Sequence, residues 1–261
     1  MTTEDLIGLM IPLLWLAMLA WEAMAPARPW PAIRWWRTKG FAFFVMLMGL
    51  NAVLPSLLPP ALTANHLLDG GRLGVAGGVL VGLPLFTLAT ALLHRAYHHV
   101  DLLWRWVHQL HHAPQRLDVA GAVVFTPQEV VLNVLLFQLV VVFVLGLDPL
   151  AAAVLGTITA FYGMFQHFNI RTPTWLGWFI QRPEAHGVHH RRGFHAYNYS
   201  DFPPWDMLMG TWRNPREFHG EVGFEGEAAP RIAPLLVGRD ANAGLYGPGN
   251  RGSRDVATNP A

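Results

Sequence analysis

From Leu73 to Leu93 the chain carries no Asp, Glu, Lys or Arg, and the stretch ends directly on His94. An apolar run of about 20 residues is what a membrane-spanning helix requires. In the hydrocarbon core every backbone N–H and C=O must be satisfied within the protein, so such a run becomes a helix. Four further segments read the same way: Leu6–Met24, Gly40–Leu62, Val130–Leu147 and Pro149–Gln166. Pro55, Pro59 and Pro60 interrupt the second of these. The expected fold is all-α, an integral membrane helical bundle of about 4–5 spans. Only 13% of residues are charged, about half the share of a soluble domain, and the deficit falls in these blocks.

Orientation follows from the Lys/Arg bias. The connection after the first span holds Arg28, Arg34, Arg37 and Lys39, with Trp30, Trp35 and Trp36 as interfacial anchors, and is expected on the cytoplasmic side. Counting spans forward places His94 on that side, the turn at Asp148 outside, and His167 back on the cytoplasmic side. The acidic flank Glu4-Asp5 lacks the positive region of a cleavable signal, so the first block is read as a retained span. High Ala, Leu and Arg usage with short loops points to a bacterial inner membrane. Residues 1–239 are expected to form one membrane-embedded domain, with its chemistry in 93–212 and a helical cap. Residues 240–261 read as a disordered tail.

That layer is where the histidines gather. His94-x-x-x-His98-His99, His108-x-x-His111-His112 and His186-x-x-His189-His190 are three clusters, joined by His167 at the end of the fifth span. On a helix, residues i, i+3 and i+4 share a face. Imidazole suits iron, copper, nickel and zinc. A structural zinc takes four ligands, and nine histidines are too many for one ion, so two metals are expected. The expected ligands are His94, His98, His108, His111, His112, His167, His186, His189 and His190. Periodicity favours His98 over its neighbour His99. His66 and His219 stand alone and read as ordinary residues. The chain has no cysteine, which rules out thiolate ligands and cysteine nucleophiles. A formal net charge of +1, without a basic patch interleaved with aromatics, gives no footprint for nucleic acid.

From about Leu93 to Trp212 these spacings resemble the fatty acid hydroxylase and sterol desaturase superfamily. The resemblance rests on His94-Arg95, the two HxxHH boxes, His167, Asn198-Tyr199 and the closing Trp205-Asp206-Met207-Leu208-Met209-Gly210-Thr211. Ser200 and Met209 depart from the usual Asn-Tyr-Gly and Trp-Asp-x-Leu-Phe-Gly-Thr. The resemblance implies a non-haem di-iron oxygenase of the membrane. It would use two iron ions and O2 to hydroxylate an unactivated C–H bond of a lipid such as a fatty acyl chain or sterol; zinc could enter by mis-metallation. Desaturation by the same centre is the alternative, and a membrane metal transporter is a reading of a different class. With no fused redox domain visible, electrons must come from an external ferredoxin, cytochrome or reductase.

Ligating histidines normally donate their second ring N–H to a carboxylate or carbonyl. Glu184, Asn198, Asp206 and His195 are expected in that supporting role, with Glu129 and Asp201 as further candidates. Arg95 is expected to snorkel from the end of its helix.

Overall fold

The computed structural model describes residues 2–194, 196–224 and 232–240. Among them the regular structure is helical, apart from an isolated bridge between Arg191 and Val222. Helix α1 spans Thr3–Met24, opened by a capping box in which Thr2 and Asp5 exchange hydrogen bonds. Helix α2 spans Trp36–Leu57 and α3 spans Gly74–His99. Residues 101–112 form a further helix, α4, with a π-helical turn over Trp104–His108. Helix α5 runs Pro127–Val144 and α6 runs Pro149–Phe165. Two short helices, α7 (Pro183–His189) and α8 (Pro203–Met209), complete the cap.

Four of these helices, α1, α2, α3 (with its leading turn from Gly70) and α5, are long and apolar enough to cross a membrane. The fifth, α6, is apolar but shorter. The second span stops at Leu57, short of the expected Leu62, because Pro59 and Pro60 open a separate turn at Pro60–Thr63. In α1 and α2 only 11% of the most apolar window is buried in the protein. Leu13, Leu16, Phe41, Val45 and Leu80 are exposed. Water would not tolerate that much contiguous apolar surface, and lipid does. The protein is an integral membrane helical bundle.

Contacts run from α1 to α6, from α6 to α3, from α3 to α5 and from α5 to α2. The Trp15–Phe44 stack, 4.4 Å between ring centroids, closes the circuit from α1 to α2. Close packing of α3 on α6 depends on Gly82, where a Cβ would lie 2.7 Å from both Leu147 and Leu155. Small residues are how membrane helices approach each other.

At one end of this ring sit α4, α7 and α8. The polypeptide from 113 to 126 folds back over the ends of α1 and α2, where Trp15 Nε1 donates to the Val119 carbonyl and Trp36 Nε1 to Asp118. Thr174–Trp178 forms a short 3₁₀ helix with Trp175 and Trp178 exposed. Of the expected tail, residues 241–261 lie outside the described residues.

Candidate metal centre

Nine histidines converge in the cap and at the adjoining span ends. Nitrogens of His94, His98, His108, His112 and His189 lie within 4.8 Å of one another, and so do those of His111, His167, His186 and His190. These are the nine positions singled out by spacing. His98 is buried with the first group, whereas His99 is exposed. At about 100° per residue, a position five places after His94 points well away from it.

The helices deal the rings out in a regular way. His94 and His98 on α3, and His108 and His112 on α4, are i, i+4 pairs and enter the five-nitrogen group together. His186 and His190, also i, i+4, enter the four-nitrogen group. The i+3 members cross over: His111 joins the second group and His189 the first. Position i+4 lies about 40° round the helix from i, and i+3 about 60° the other way, so the two rings diverge. Each HxxHH box therefore links both groups.

The outward ring nitrogens are fixed. His94 Nδ1 lies 2.7 Å from the Tyr199 carbonyl, and His189 Nδ1 lies 2.8 Å from that of Tyr197. His167 Nδ1 meets the Gly163 carbonyl at 2.8 Å. His108 Nδ1 meets Glu129 Oε1 at 2.7 Å, and His186 Nδ1 meets Gln181 Oε1 at 2.9 Å. The Gln181 amide nitrogen donates to Ser200 O, which fixes its oxygen towards His186. All five partners are acceptors, so each Nδ1 carries the proton and each Nε2 turns a lone pair inward.

Those inward atoms crowd together. His94 and His108 Nε2 are 3.0 Å apart, His112 and His108 3.1 Å, and His186 and His167 3.2 Å. Two neutral rings cannot hydrogen-bond lone pair to lone pair. Protonation would relieve the repulsion, but burial opposes it: the pKa of His167 is lowered to about 4, and those of His111, His112, His186 and His190 fall well below the usual value. A metal ion resolves the conflict. Nitrogens about 2.1 Å from one ion sit roughly 3.0–3.4 Å from each other. The donor set and its spacing fit metal ions held by imidazole.

A fatty acid hydroxylase family model matches residues 79–211. The chain belongs to the fatty acid hydroxylase family. The matched segment starts within α3 and contains every one of the nine histidines. Searches of curated proteins and of solved structures return no match.

Around the family's histidine boxes the supporting residues act at different removes. Glu129 touches a ring directly, and Thr126 caps the same helix start by accepting from the Glu129 N–H at 3.1 Å. Asp206 works through the backbone: its oxygens accept from the Tyr199 and Ser200 N–H groups and the Thr211 hydroxyl, so it holds the carbonyl that anchors His94. Asn198 donates to the Ala185 and Arg213 carbonyls and accepts from the Arg213 N–H, tying α7 to the segment at Arg213 that follows α8. Tyr197 and Asn198 have φ of 63° and 47°, left-handed values that a tyrosine rarely adopts. The twist turns the Tyr197 carbonyl back to His189.

Glu184 takes a different set of partners from those expected. It accepts from the Thr172 N–H and hydroxyl and pairs with the fully buried Arg182 at 3.2 Å, locking the start of α7. Asp201 accepts from Gln166 at 3.0 Å, beside His167, and burial pushes its pKa up to about 7. His195 lies outside the described residues. Gln181 and the carbonyls of Gly163, Tyr197 and Tyr199 were not foreseen. A backbone acceptor leaves no mark in sequence; Gln181, five residues before His186, could have been suspected.

Proposed function

We propose that the protein is a non-haem di-iron oxygenase that hydroxylates an unactivated C–H bond of a membrane lipid, using O2 and electrons from an external one-electron donor. The observation that carries this reading is the pair of adjoining all-histidine groups at the ends of lipid-facing helices. Two bound iron ions would supply O2-dependent C–H oxidation, for which no protein acid or base suffices.

The chain's own residues have three tasks. The Nδ1 acceptors hold five of the nine rings in one tautomer, so that their lone pairs converge without rearrangement. Glu129, hydrogen-bonded to His108, raises the basicity of that ring. The apolar span ends bring a hydrocarbon chain beside the rings while the cap buries them from water. Placement at the ends of the helices, rather than at mid-bilayer where transport pathways put ionisable groups, argues against a metal transporter. The Lys/Arg bias supports a cap on the cytoplasmic side, and the Ala, Leu and Arg usage with short loops supports the inner membrane of a bacterium.

The test is metal analysis joined to lipid mass spectrometry. Purified chain grown in iron-replete medium should hold about two irons, as two clusters of this donor type allow. His111→Ala and His189→Ala, one from each group, should lose metal and product. Membranes with and without the protein should differ by a lipid that has gained one oxygen. A lipid lacking two hydrogens instead would make it a desaturase, and full activity in both variants would end the oxygenase reading.

A further inference from the structure

A second pocket lies apart from the histidines. It is a cavity of about 240 Å³ at the ends of α1 and α2. Leu19, Glu22 and Ala23 form one wall and Trp36 and Arg37 another; Trp30, Arg28 and Arg116 close it. Ligand sites for whole organic molecules usually start near 300 Å³, so this one suits a headgroup and not an acyl chain.

Its unspent hydrogen-bonding capacity is almost all donor. Both acids are engaged by internal partners. Asp118 accepts from Trp36 Nε1 at 2.8 Å and from the Gly121 N–H at 3.0 Å, and pairs with Arg116. Glu22 accepts from the N–H groups of Asn169 at 2.7 Å and Val119 at 3.0 Å. Against them, the Trp30 indole N–H is buried without a hydrogen-bond partner. Arg37 is exposed at the rim and forms no ion pair among the described residues. Arg28 comes no nearer than 3.9 Å to Glu184. An indole donor beside the Arg28 and Arg37 guanidinium groups, with Arg116 committed to Asp118 and the Pro31 carbonyl, calls for an anion with several acceptor oxygens. The tryptophans place the cavity at headgroup depth.

We propose that this cavity binds a phosphate group, carried by a phospholipid headgroup or free in solution. Its walls are the segments that run on from metal-centre residues. Val119 follows His112 along the loop, and Asn169 stands two residues beyond His167. Glu22 binds both segments, and Asn169 also holds the Arg28 backbone at both N–H and carbonyl. A phosphate here braces the loops beneath the histidines without touching them.

The test uses the full chain, delipidated in detergent, with three probes: dihexanoyl phosphatidylglycerol, inorganic phosphate and dihexanoylglycerol, which lacks the phosphate. Binding is read by calorimetry and by native mass spectrometry. The phospholipid should bind one per chain, and dihexanoylglycerol should not bind. Trp30→Phe and Arg37→Glu should each weaken binding about ten-fold or more, the worth of a charge-assisted hydrogen bond. Metal content at the unsubstituted level certifies that the variants are folded, and Arg37, being exposed, carries the test if Trp30→Phe is not. Inorganic phosphate binding as tightly as the lipid would identify the occupant as free phosphate. The proposal is overturned if dihexanoylglycerol binds as well as the phospholipid, or if the chain carrying both Trp30→Phe and Arg37→Glu binds as the natural chain does.

Discussion

Glu129 is the only carboxylate among the described residues whose oxygen meets a ring of the nine histidines directly. Its negative charge strengthens His108 as a donor, and a neutral amide would keep the hydrogen bond while losing that effect. Glu129→Gln should therefore fold and retain metal, with affinity lowered about ten-fold or more, read by competition with a calibrated chelator. An unchanged affinity would reduce Glu129 to a helix-start residue. The buried rings also set a pH dependence. His167 has its pKa lowered to about 4, against about 6.5 in an unfolded chain. Between those values the unfolded state takes up protons that the folded state refuses, so stability falls as pH drops from 6.5 towards 4. Bound metal competes with the same protons. Thermal unfolding of the metal-free protein should weaken steadily over that window, with the metal-loaded protein resisting until lower pH. A flat profile for the metal-free form would mean that folding does not lower the proton affinity of the rings.

At the scale of elements, the turn at 197–199 serves the five-nitrogen group, because its carbonyls anchor His189 and His94. Gln181 serves the four-nitrogen group through His186. Asp206→Ala should release the turn and deplete metal from the first group; Gln181→Leu should deplete the second. On the proposed two-iron reading, each variant should hold about one ion in place of two. Spectroscopy on each should show an isolated ion in place of a coupled pair. Equal loss of both ions in both variants would show that the groups fold as one unit. The sequence disclosed the elements but not this division of labour. Spans were legible because uncharged runs have few alternatives, and the gathering of the nine histidines because imidazoles recur at helical spacing. Which ring joins which group was hidden, since it depends on the crossing of α3, α4 and α7 and not on any one helix. Glu184 was misleading for a related reason. It sits two residues before His186, but the start of α7 turns its carboxylate towards Arg182 and Thr172.

For the molecule as a whole, the sidedness of the cap decides how the proposed electron donor and lipid would reach it. The histidines occupy one layer because α3 ends where α4 begins and α6 returns to the same end of the bundle at His167. That geometry holds if α6 crosses the membrane despite its 17 residues, which at about 1.5 Å per residue span roughly 26 Å, a little short of an average hydrocarbon core. Its polar ends, Asp148 and Gln166, then have to reach opposite interfaces. The absence of cysteine makes this directly measurable, since every introduced thiol is the only one present. Asp148→Cys should react with a membrane-impermeant maleimide added outside intact cells, and His219→Cys, exposed in the cap, only after permeabilisation. The Lys/Arg-rich connection between α1 and α2 requires the same inside position for Arg34→Cys. Labelling of both Asp148→Cys and His219→Cys from one side would leave α6 as a re-entrant segment. With α5 still crossing, His167 and the third cluster would then stand across the membrane from His94 and His108, which the 3.0 Å approach of His167 to His111 does not allow, so the single histidine layer would have to be given up.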